Sequence, residues 1–128
     1  MATWRGRWRD AQNFWDVAET SHDPKHGNQA ASNAILAIIA ANDAVCLYLG
    51  QRQPGGESHT AAARVLRKAC QGTRWEAEAA RRSAQLLEIM RQKNAAQYLG
   101  QPLGADAVEK IMKQVDRFMK WAEKILRS

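Results

Sequence analysis

The sequence predicts an all-α fold, a five-helix up-and-down antiparallel bundle in one domain spanning residues 1–128. Three observations predict it. Alanine is abundant and β-branched residues are scarce, a composition that favours helix over strand. Only Pro24, Pro54 and Pro102 interrupt the chain. Apolar residues recur at alternating spacings of three and four, the period of one helix face. With 45% hydrophobic and 25% charged residues the chain is of globular type. Its 128 residues suffice to bury a core unaided.

The first helix is expected over about 7–20, because Trp4, Trp8, Ala11, Trp15 and Ala18 fall on one face. Asp23-Pro24 and Gly27 then break the pattern. The second is expected over 27–49, ending at Gly50, which suits the left-handed residue after a helix. It is apolar nearly all round. Ser32, Asn33, Asn42 and Asp43 argue against a membrane span, since Asp alone costs roughly 3 kcal/mol at mid-bilayer. "QRQPGGES" reads as a turn. The third helix is expected over 58–70 with Ser58 as N-cap. Thr73 and Glu76 have the spacing of a capping box, so a fourth helix should start near 74, with Ala79, Ser83, Leu86 and Met90 facing inward. After "GQPLGAD", Val108, Ile111, Val115, Phe118, Ala122 and Ile125 repeat at three, four, three, four and three. That is the clearest helical seam in the chain. The wide apolar cover of the second helix asks for many neighbours, which a second copy of the chain would supply.

Formal net charge is +6 and pI about 9.7, which suits RNA, DNA or an acidic partner. Cys46 and Cys70 sit in apolar helical runs and are expected as buried free thiols of a cytoplasmic protein. The polar, Arg-rich N-terminus lacks the apolar run of a signal peptide. No phosphate-cradling glycine loop and no nucleophile motif occurs. His22 and His26 have the spacing of a metal pair, but Pro24 lies between them and no Cys or Glu beside them completes a set. No metal or cofactor is therefore expected.

The most suggestive stretch is "MRQKNAAQYLGQ", residues 90–101. Continuing the inward stripe of the fourth helix leads to Lys93 or Asn94 and then Gln97, so a buried side turns polar near the helix end. Cations in a last turn can simply complement the helix dipole. As a site, Arg91 and Lys93 would contact phosphate, Asn94 would hydrogen-bond a base or sugar, and Tyr98 would stack. Ser32, Asp43 and His59 could join them from the second and third helices. The plainer expectation for Asp43 is an ion pair inside the bundle, with Arg91 or Lys93 as partner. "TWRGRWR" reads as packing tryptophans with arginines turned to water. Arg64, Arg67, Lys68, Arg81 and Arg82 read as solvated faces, of interest only if folding gathers them with Arg91.

"SNAILAIIAANDAVCLYLGQR", "ESHTAAARVLRKA" and "LLEIMRQKNAAQYLGQPLGADAVEKIMKQVDRFMKWAEKIL" follow one another in an order that resembles the HEPN domain. This is a family of small helical bundles named for higher-eukaryote and prokaryote nucleotide binding. The resemblance covers about residues 10–126. It implies a homodimer. Many such proteins are metal-independent endoribonucleases of toxin–antitoxin or RNA-defence type, with an Arg followed after four to six residues by His at the dimer interface. Arg91 stands in the place of that Arg. Five intervening residues lead to Gln97 and six to Tyr98, and no His follows Arg91. Gln has no usable proton near neutral pH, and Tyr98 would need a large downward shift from about 10.

The expectation is therefore a non-catalytic dimeric module that binds RNA, a nucleotide or a protein through a basic groove around Arg91, Lys93, Asn94 and Tyr98, with Asp43 orienting a cation. One alternative is a ribonuclease using Arg91 and His59 with Asp43. Another is a structural partner of a nucleotidyltransferase-like protein.

Overall fold

The computed structural model describes residues 3–21, 27–54, 58–98 and 103–128, with side chains at all of these except 27 and 93–98. The fold is all-α, with no strand among the described residues. Five helices follow in order: α1 Trp4–Thr20, α2 Gly27–Tyr48, α3 His59–Cys70, α4 Glu76–Tyr98 and α5 Ala105–Leu126.

Helix α2 is the axis of the bundle. Ala30, Ala31, Ala34, Ala37, Ala40, Ala41 and Ala44 are all within 1% of complete burial, and Ile35, Ile38, Val45 and Cys46 fill the space between them. The small side chains let neighbouring backbones approach closely, and α1 lies most intimately along it. Helix α5 also returns to α2 rather than to its sequence neighbour α4, because its long apolar stripe finds the largest uncovered face there. Helices α3 and α4 pack on each other and close the remaining side. By length and composition α2 could cross a membrane, but 72% of its apolar window is buried inside this chain. Much of the cover that its apolar girth demands is thus supplied within one chain, while Leu36 on the same helix stays 37% exposed.

The helix ends explain the boundaries. Helix α1 starts at Trp4, the first residue of its apolar face and three residues before the expected bound, because the Thr3 hydroxyl accepts the Gly6 N–H at 3.1 Å. At the end of α2, Gly50 has φ +87°, the Gln51 N–H donates to Cys46 O and the Gly50 N–H donates to Leu47 O. Together they form a Schellman motif. Ser58 caps α3 by accepting the Ala61 N–H at 3.2 Å. Thr73 takes a backbone N–H as expected, that of Trp75 at 3.1 Å, but its hydroxyl and its own N–H both donate to Cys70 O, so the Thr73–Glu76 capping box is not formed. The turn so formed delays the start of α4 to Glu76. All six residues of the α5 seam are buried. The inward stripe of α4 is buried too, with Ser83 donating its hydroxyl to Ala80 O.

Two contacts tie distant segments. The Tyr48 hydroxyl donates to Ser128 O at 2.6 Å, and the Leu103 N–H donates to Asn28 Oδ1 at 2.9 Å.

Both cysteines are free and buried. Burial, aided by the Asp43 carboxylate, pushes the Cys46 thiol well above its ordinary range. Burial alone raises the Cys70 thiol from 9.0 to about 11. An unfolded chain releases these protons near 9.0, whereas the folded chain retains them. The folded state therefore binds more protons above that pH, and stability falls as pH rises from 9.0 toward 11. Urea titrations at pH 8 and pH 10 should show the lower midpoint at pH 10, with a smaller difference in Cys70→Ala.

Candidate functional site

Helix α3 is strongly two-sided. Ala62, Ala63, Val65, Leu66, Ala69 and Cys70 turn inward, so Arg64, Arg67 and Lys68 are left on the exposed side. The turn 71–75 then reverses the chain, with Gly72 at φ +78°, a conformation that side chains other than glycine rarely adopt. Reversal brings the first turns of α4 alongside. The result is an open groove of about 380 Å³ lined by Arg64, Arg67, Lys68, Gln71, Glu76 and Ala80. The methyl side chain of Ala80 keeps the α4 wall low.

The groove is cationic because its positive charges are not neutralised locally. Among the described residues, Arg64, Arg67 and Lys68 make no ion pair, and Glu76 is the only anion on the walls. Two residues on, Glu78 is committed to Arg82 at 2.8 Å, and Arg82 also donates to Gln85. Arg81, two-thirds exposed, stands 3.9 Å from the same carboxylate. At the turn itself the Arg74 guanidinium lies over the Trp75 ring, 4.4 Å from its centroid. Residues 59–98 hold eight Lys and Arg against three Asp and Glu, whereas α1 holds three of each. The positive excess is thus concentrated on the α3–α4 hairpin.

The residues singled out in the sequence are distributed differently. Asp43 is buried on α2, its side chain 1% exposed. Its Oδ2 accepts from Arg7 Nε at 3.1 Å and Nη2 at 2.9 Å, and Arg7 Nη1 reaches Asp10 at 2.8 Å. Arg7 therefore turns inward to a buried carboxylate instead of facing water. Arg5 stays exposed, 4.6 Å over the Trp4 ring, and Arg9 is exposed. Ser32 is exposed although it lies on nearly the same side of α2 as Asp43. His59 is half-buried at the first position of α3, and Arg91 is exposed on α4. Neither side chain makes a hydrogen bond or ion pair among the described residues. The backbone of α4 carries Lys93, Asn94 and Tyr98 onward, but their side chains, like all of His22 and His26, lie outside the described residues.

Arg64, Arg67 and Lys68 carry the groove, although the sequence suggests only solvated faces for them. The available signal was their spacing opposite an apolar stripe, followed by a turn short enough to fold α4 back beside them. Arg91 lies eleven residues beyond Ala80, about 16 Å along the same helix.

Among the described residues no three His, Cys, Asp or Glu come together as a metal site. The arrangement has the parts of an anion-binding surface, namely several cations free to reorient, hydrogen-bond donors and a stacked Arg–Trp pair. Fold and surface together define the class: an all-α bundle with a basic interhelical groove. Comparison with protein-family models, with curated proteins and with solved structures finds no match.

Proposed function

We propose that this chain is a non-catalytic, cytoplasmic RNA-binding module that holds the phosphate backbone on the basic face of its α3–α4 hairpin. The observation that carries the reading is the convergence of Arg64, Arg67 and Lys68 on one open groove with a single carboxylate on its walls. Arginine suits this role, because its planar fork pairs with two phosphate oxygens at once. Further along α4, Arg91 and Lys93 extend the phosphate track, with Asn94 as a hydrogen-bonding group and Tyr98 as a stacking surface. A HEPN-like identity and a nucleotidyltransferase-like partner rest on the sequence resemblance alone, and the homodimer on that resemblance and the apolar girth of the second helix. A groove built from one chain does not depend on them.

The test is binding of a fluorescently labelled RNA, followed by anisotropy at several salt concentrations in EDTA. Wild-type affinity should fall steeply with salt as counterions are released. Arg64→Ala/Arg67→Ala/Lys68→Ala should weaken binding at least tenfold and flatten the salt slope by about two, at roughly 0.7 per lost phosphate contact. Its melting temperature should hold, since all three side chains are exposed. Unchanged binding by the triple variant removes the groove from the reading. Cleavage of the RNA that His59→Ala abolishes replaces binding with catalysis.

A further inference from the structure

We infer that the groove selects single-stranded RNA over duplex, because a base can stack on Arg74 where the groove meets the turn. The inference rests on the RNA-binding reading above and deepens it. Gln71 and Glu76, which bracket the turn, both line the groove, and Arg74 and Trp75 lie in the chain between them. Trp75 is half-buried against the core, and the Arg74 guanidinium covers its ring at 4.4 Å. The indole thus has the core on one side and the guanidinium on another. Arg74 itself is exposed. A guanidinium held by an aromatic ring is a fixed plane rather than a mobile point charge, and its free face accepts an unstacked base. A base placed there continues a pile of base, guanidinium and indole.

This geometry distinguishes two forms of the same polymer. In a duplex the bases are stacked on each other and offer no free face, so only phosphates reach the groove. A single strand can lay phosphates along Arg64, Arg67 and Lys68 and turn one base onto Arg74. Every base has such a face, so the contact favours the single strand without selecting a sequence. Helix α3 places its three cations within about 6 Å along its axis, from Arg64 to Lys68. That length suits a few consecutive phosphates of one strand.

The experiment measures anisotropy at fixed salt for three probes: a labelled single-stranded 12-mer RNA, the duplex of the same sequence, and heparin as a competing polyanion without bases. Wild-type protein should bind the single strand about tenfold more tightly than the duplex. Arg74→Lys keeps the charge and removes the plane. It should lower single-strand affinity about tenfold, to the level of the duplex, and leave duplex affinity and heparin competition against the duplex unchanged. Equal or tighter binding of the duplex by wild-type protein overturns the inference while leaving RNA binding in place. So does an Arg74→Lys variant that retains the preference. Failure of all three probes to bind overturns the underlying reading as well. Arg74→Lys alters an exposed turn residue, and an unchanged thermal melt confirms that the variant is folded.

Discussion

Arg7→Met is expected to destabilise the fold by about 3 kcal/mol in urea denaturation at pH 7. The cause is the carboxylate left behind. Asp43 is buried to 1% exposure and receives two hydrogen bonds from one guanidinium. Removing the cation leaves a charge that water cannot reach. The figure stands at the lower end of the 3–5 kcal/mol typical of a broken buried pair, because Arg7 is 22% exposed and Asp43 has further interactions. Asp10→Ala provides the contrast. Its carboxylate is 49% exposed and bonds the same guanidinium, yet its loss should cost under about 1 kcal/mol. Equal costs for the two variants would show that burial of Asp43 does not govern the pair. The position matters because Arg7 joins α1 to α2 across 36 residues of sequence.

Phe118→Ala should cost about 4 kcal/mol, the value expected for deleting an aromatic side chain from a closed core. Phe118 is completely buried and meets Trp121 edge-on, with ring centroids 5.5 Å apart. It lies in the middle of the α5 seam, and α5 packs mainly on α2. A cavity there therefore weakens the attachment of a whole helix to the axis of the bundle. Phe118→Leu should recover most of the loss, since it refills much of the volume. The urea slope should be unchanged in both, reporting lower stability rather than a different unfolded state. A cost below about 1 kcal/mol for Phe118→Ala would mean that α5 is not held by this seam.

Legibility in the sequence followed the range of the interaction. The α5 stripe at three, four, three, four and three was visible because a helix face is periodic, and the structure buries every member of it. Gly50 and Ser58 were visible because caps act within a few residues. The apolar face of α1 already begins at Trp4, where the helix starts, but its first turn has Thr3 as its lone capping signal, and an expected start near 7 leaves that turn out. The partner of Asp43 was not legible. The chain has 19 Lys and Arg, and pairing across 36 residues follows from how α1 lies on α2. The return of α5 to α2 was not legible either, since the apolar cover of α2 does not say which helix will lie on it. Basic residues were equally visible everywhere. Only the turn 71–75 made those on α3 into the wall of a groove, whereas Arg91 stands about 16 Å further along α4.

The concentration of positive charge on α3 and α4, beside an α1 with as many anions as cations, makes the molecule electrically lopsided. Near a long polyanion such a body is turned before it touches, as a compass needle is. Collisions would then arrive hairpin first, with α1 facing away, and added salt would blunt this aiming over a distance of about 10 Å at 0.1 M.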